Sequence, residues 1–157
     1  MRTILSAAIC LCLTAAEIWA AAQSRLETDF AEQQAALTCF EGETDEGACG
    51  GTWLQVYLAG TEIRKLQWDV VTSMRVVRRE FYYSRGKAAL VIETSWFRYD
   101  DSGELLEEPT LQYVRRYWLR DGTAGPSGVQ VRRELRAHAL FLEAEFREHK
   151  DRFTKTN

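Results

Sequence analysis

The sequence predicts an α+β fold: an antiparallel β-meander of about five strands, with a short helix before it and a long amphipathic helix after it. Three observations carry this expectation. Between Thr52 and Arg120, short runs of aromatic and β-branched residues alternate with glycine turns. No helical segment separates those runs, and parallel crossovers would need one. After Pro126, apolar residues recur at helical spacing as far as Phe153.

The chain starts with a charged Met1-Arg2, then an uncharged apolar run from Ile4 to Ala16, then Glu17 and the small residues Ala20-Ala21-Ala22. This is the plan of a secretory signal peptide over residues 1–22, and the run falls short of the roughly 18–20 apolar residues that span a bilayer. Cys10 and Cys12 lie inside the run and read as apolar filler. Cleavage leaves a single α+β domain over 23–157, with no later segment apolar enough to span, so the mature protein is expected to be periplasmic or secreted. Losing Arg2 and Glu17 together leaves the net charge at −3. A mildly acidic chain is a poor partner for nucleic acid, whose phosphates call for surplus positive charge.

In the mature region, Ser24 and Glu27 form a capping-box pattern, and Leu26, Phe30, Gln33 and Leu37 share one helical face, so a helix is expected over 25–38. Cys39 and Cys49 are the two cysteines left after cleavage, and in an oxidising compartment they are expected to pair. The segment between them reads as a loop, with Gly42 and Gly47 supplying freedom and Glu41, Glu43, Asp45 and Glu46 kept in water. Closing it would be worth roughly 2–3 kcal/mol. Zinc would need a fuller ligand set, and the acids lack EF-hand spacing. No metal or cofactor is expected.

Strands are expected over 52–58, 62–71, 75–83, 88–99 and 110–120, with turns at Gly60-Thr61, Ser84–Lys87 and Asp100–Gly103 and an acidic connector from Glu104 to Pro109. A helix over 127–153 starts with Ser127 as cap and Gln130 three residues on. Its Val131, Leu135, His138, Leu142, Phe146, His149 and Phe153 fall within about 80° of arc. The two helices are expected to cover one sheet face. Adjacent aromatics such as Trp96-Phe97 and Tyr117-Trp118 must point to opposite faces, so the second face is not plainly polar.

The segments EIRKL (62–66), REFYYSRGKAALV (79–91) and RRYWLRDG (115–122), between a leader and a terminal helix, resemble a loose group of small exported bacterial β-meander proteins of unknown function. The resemblance covers about half the chain, from Glu62 to Gly122, and rests mostly on hairpin chemistry. It implies a fold and a compartment, and carries over no reaction and no catalytic residue.

Enzymatic constellations are sparse. His138 and His149 lie about 16 Å apart along one helix, too far to share a metal. Each follows a glutamate by four residues, Glu134 and Glu145, but two ligands do not close a zinc site. Both imidazoles therefore read as packing beside the apolar stripe. No G-x-S-x-G occurs, and Gly50-Gly51 precedes a strand rather than a phosphate-binding helix. Asp100, Asp101, Glu104, Glu107 and Glu108 are the one carboxylate cluster that could serve a hydrolase.

The strongest functional signal is the interleaving of arginine with aromatics. Trp96, Arg98, Arg116, Trp118, Arg78 and Tyr82 form a candidate binding surface, because aromatics and arginine dominate interface hot spots and arginine pairs with acids. The competing reading is packing among these groups within the sheet. The expectation is an exported, non-enzymatic binding protein whose partner is an envelope protein or polysaccharide. The alternatives are a small secreted hydrolase using carboxylates of the 100–108 connector, or a structural envelope protein that pairs through Leu140 and Phe141 of its last helix.

Overall fold

A computed structural model describes residues 15–44, 50–100, 102–119 and 128–156. Most of the leader, Cys49, Asp101, Arg120 and Ser127 lie outside the described residues. The architecture is mostly β: one antiparallel sheet, with seven strands rather than the five expected, and two helices.

Helix α1 (Ala15–Gln33) starts well before the expected 25–38, and a single 3-10 turn at Gln34–Ala36 ends it. Ser24 is inside this helix and so does not cap it. The alanine-rich stretch from Ala15 to Ala22 has high helix propensity and carries the helix through the expected cleavage site.

The segment expected to close the helix and open a loop forms strand β1 (Thr38–Glu43) instead. It pairs with β2 (Gly50–Ala59), and the sheet continues through β3 (Glu62–Thr72), β4 (Arg75–Ser84), β5 (Lys87–Tyr99) and β6 (Leu105–Trp118). β7 (Thr154–Lys155) adds to the outer side of β1. Gly42 is not a source of loop freedom. A Cβ there would lie 2.9 Å from the Arg152 carbonyl oxygen and 3.0 Å from the Phe153 ring, so glycine lets the C-terminal segment close onto β1.

No disulfide is present among the described residues. Cys39 stands opposite Tyr57. Its expected pairing with Cys49 lies outside the described residues, because Cys49 does.

The acidic connector is not a connector. Glu107, Glu108 and Pro109 sit within β6, where two register shifts against β5 absorb the extra residues. β6 is an edge strand, the one place in a sheet that tolerates proline.

Helix α2 (Val129–Glu148) is shorter than the expected 127–153. His149 ends it, a 3-10 turn follows at Lys150–Arg152, and Phe153 returns to pack against Phe146 at 5.2 Å. No described helix is long and apolar enough to cross a membrane.

The two helices lie on opposite faces, not on one. α2 presses Leu135, Ala139, Leu142 and Phe146 onto Leu54, Val56, Leu66, Phe81 and Val91. On the reverse face, Phe30 and Leu26 of α1 join Tyr57, Tyr82, Leu90 and Trp118. The aromatic pairs Tyr82-Tyr83 and Tyr117-Trp118 explain this. Each sends one ring to either face at the same end of the sheet, so both faces need a cover there.

Candidate functional site

Strand pairing builds the α1 face row by row, because paired residues share a face and alternate residues return to it. The first row is Cys39, Tyr57, Lys65, Tyr82, Leu90 and Trp118. Two rows further on come Trp53, Asp69, Arg78, Thr94 and Val114, and the last row holds Val71, Val76, Trp96 and Leu111. All six residues of the sequence-predicted surface fall on this face, though in different surroundings.

Helix α1 crosses the first row from β6, where Glu27 meets Arg116 at 3.4 Å, to β2, where the Phe30 ring stands edge-on to Tyr57 at 5.3 Å. Beneath it Tyr82 and Trp118 are interior, the latter 8% exposed. Both belong to the core cluster that α1 covers. Lys65 is buried in the same place. Its Nζ bonds Glu80 Oε1 at 2.6 Å and lies 4.8 Å from the Phe30 ring centre, 5.1 Å from Tyr82 and 5.6 Å from Tyr57. Three π-faces and one carboxylate replace the water that the ammonium gives up. Burial, with the Cys39 thiol beside it, pushes the Tyr57 phenol up to about 12. Burial and Glu80 push Tyr82 up as well. Both phenols thus remain proton donors, Tyr57 to Gln55 at 3.2 Å and Tyr82 to Glu80 at 3.4 Å.

Among the described residues no helix lies over the far rows. Trp53 is 38% exposed, Val71, Leu111 and Val114 are exposed beside it, and Trp96 is half-buried. Cross-strand register makes Val71, Val76, Trp96 and Leu111 one continuous apolar band over β3 to β6. Its arginines make hydrogen bonds within the sheet. Arg78 donates to both Asp69 oxygens, at 2.7 and 2.9 Å, and its guanidinium lies 5.8 Å from the Trp96 ring centre. The hydrogen bonds to Asp69 hold Arg78 all the more firmly protonated. Arg98 donates to the Thr72 carbonyl at 3.1 Å. Arg78 is thus neutralised by Asp69, while Arg98, bonded to a neutral carbonyl, keeps its charge.

Trp53 and Asp69 belong to this surface although the sequence reading did not single them out. Alternation in TWLQVYL already separates Trp53, Gln55 and Tyr57 from Leu54, Val56 and Leu58.

The other candidate groups stay apart. His138 projects from α2 onto the sheet, edge-on to Trp68 at 4.6 Å, and its Nδ1 receives Arg79 at 3.2 Å. Arg79 also holds Glu93 at 2.7 Å, and Glu134 accepts from Gln130 at 3.0 Å. Asp100 accepts from the Ser102 amide and hydroxyl and from the Glu104 amide, which holds its carboxyl below the usual range and spends it on the turn. Glu104, Glu107 and Glu108 are exposed and line neither of the two clefts described below. No cluster of three or more metal-ligating side chains occurs among the described residues.

One cleft of about 240 Å³ lies between α1 and the end of β4. The other, of about 870 Å³, lies between the β4–β5 turn and α2. The chain matches no family model, no curated protein and no solved structure.

Proposed function

We propose that this is an exported, non-enzymatic binding protein of the cell envelope or periplasm, and that it engages a protein through the open half of the α1 face. The observation that carries this is the uncovered apolar band beside Trp53 and Trp96, with the Arg78–Asp69 pair between them. Tryptophan and arginine in a patch depleted of net charge are what interface cores contain. The leader supports export, and mature protein is expected to begin between Ala21 and Gln23 on N-terminal sequencing.

Envelope fractions separated into protein and polysaccharide, each passed over the immobilised mature chain, test the reading. Because Arg78 and Asp69 neutralise each other, capture of the protein fraction should survive ~0.5 M salt, where the screening length shrinks to about 4 Å. It should fall at least tenfold for a Trp53→Ala/Trp96→Ala variant that keeps its circular dichroism. Retention of the polysaccharide alone would reassign the partner class. Equal capture by the double variant, or loss of capture in salt, would refute the surface.

A further inference from the structure

We infer that the cleft between the β4–β5 turn and α2 binds a single-chain anionic amphiphile, with its carboxylate head at Arg85 and Lys87 and its alkyl tail along the floor. This site is separate from the open sheet face. The volume, about 870 Å³, falls in the range of small-ligand pockets. Ala88, Ala89, Leu119 and Ala139 make an apolar floor, with Leu140 at its margin. Such a floor suits a hydrocarbon chain.

Charge selects the head group. Arg85, Lys87 and Arg136 stand around the cleft in a chain whose net charge is −3. Among the described residues Glu143 is the one acid in the lining, and its carboxylate already accepts the Tyr83 hydroxyl at 2.7 Å. Arg136 is held in place by donating to the Leu119 carbonyl. Arg85 and Lys87 are both exposed and make no ion pair among the described residues.

Backbone geometry points the same way. The turn between β4 and β5 has Arg85 at φ 54° and Gly86 at φ 71°. Two left-handed residues in a two-residue hairpin turn favour Asn-Gly or Gly-Gly. Arginine is a costly choice at the first position, since its Cβ crowds the backbone there. Local turn chemistry gives no reason for it, whereas a cation at the mouth of an apolar cleft does.

The test is titration calorimetry of the full chain with laurate below its micelle concentration, beside dodecanol and dodecyltrimethylammonium. Laurate should bind one-to-one, and dodecanol and the cationic amphiphile roughly ten- to a hundredfold more weakly, the range of hydrogen bonds to a charged group. Arg85→Asn/Lys87→Gln should weaken laurate by a similar factor while leaving the melting temperature equal or higher, because asparagine fits the turn. Trp53→Ala should leave laurate binding unchanged, which separates this site from the sheet face. No laurate binding, equal affinity for dodecanol, or an unaffected double variant would overturn the proposal. So would capture by anionic phosphatidylglycerol vesicles in the absence of laurate binding, which would mark a membrane-contact surface instead.

Discussion

Glu80→Ala is expected to lower stability by about 3–5 kcal/mol, the cost of breaking one side of a buried ion pair. Lys65 is enclosed by Phe30, Tyr57 and Tyr82, with 9% of its side chain exposed, and Glu80 is its one carboxylate partner within bonding distance among the described residues. Without Glu80 the ammonium keeps its three rings but loses its counter-charge in a site with little access to water. For a chain of this size the melting temperature should fall by about 10 °C or more. Replacing both partners, as Lys65→Met/Glu80→Leu, should be far milder, since a well-packed apolar pair removes both desolvation costs. Urea melts of the two variants measure the contrast. A loss below about 1 kcal/mol for Glu80→Ala would mean that Lys65 reaches solvent and that α1 does not seal this end of the sheet.

Trp118→Ala is expected to cost about 3–5 kcal/mol, because it empties a large cavity between the first row and α1. Trp96→Ala, on the same face but beyond the helix, should cost less than about 1.5 kcal/mol. Its main losses are half-exposed packing and the Arg78 contact, itself worth about 0.5–1 kcal/mol. The two substitutions are chemically identical, so the difference between their denaturant midpoints isolates the effect of α1. Similar losses for both would mean that the whole face is interior.

Much of this was legible in the sequence. Strands β2 to β5 and the core of α2 follow from period-two and period-3.6 patterns with clear turn residues between them, and the β4–β5 hairpin turns where Gly86 marks it. Parity within each strand also grouped Trp96 with Arg98 and Arg116 with Trp118. What parity could not supply was register. Only the alignment of β5 with β6 shows that both groups share a face, and only the alignment of β3 with β4 shows that Arg78 meets Asp69. An arginine read one strand at a time looks available. Read across the sheet it is already neutralised.

The ends of the chain were harder. β1 is short, acidic and interrupted by Gly42, so local composition resembles a loop, and its strand character comes from pairing with β2 on one side and β7 on the other. A two-residue strand such as β7 has no local signal at all. The start of α1 was obscured because the same alanines satisfy a signal-peptide reading and a helix propensity. The placement of the helices on opposite faces was closer to hand. Tyr82-Tyr83 and Tyr117-Trp118 demanded two apolar faces at one end of the sheet, and each helix had one apolar stripe to offer.

The central claim is that one face of this sheet is sealed by α1 at one end and open at the other. Oxidative footprinting of the native chain, read by mass spectrometry at each tryptophan, tests it directly. Trp53 should oxidise first and Trp96 next, while Trp68 and Trp118, each 8% exposed, stay protected until the protein unfolds. Oxidation of Trp118 at the rate of Trp53, or protection of Trp53 in the isolated native protein, would contradict the account.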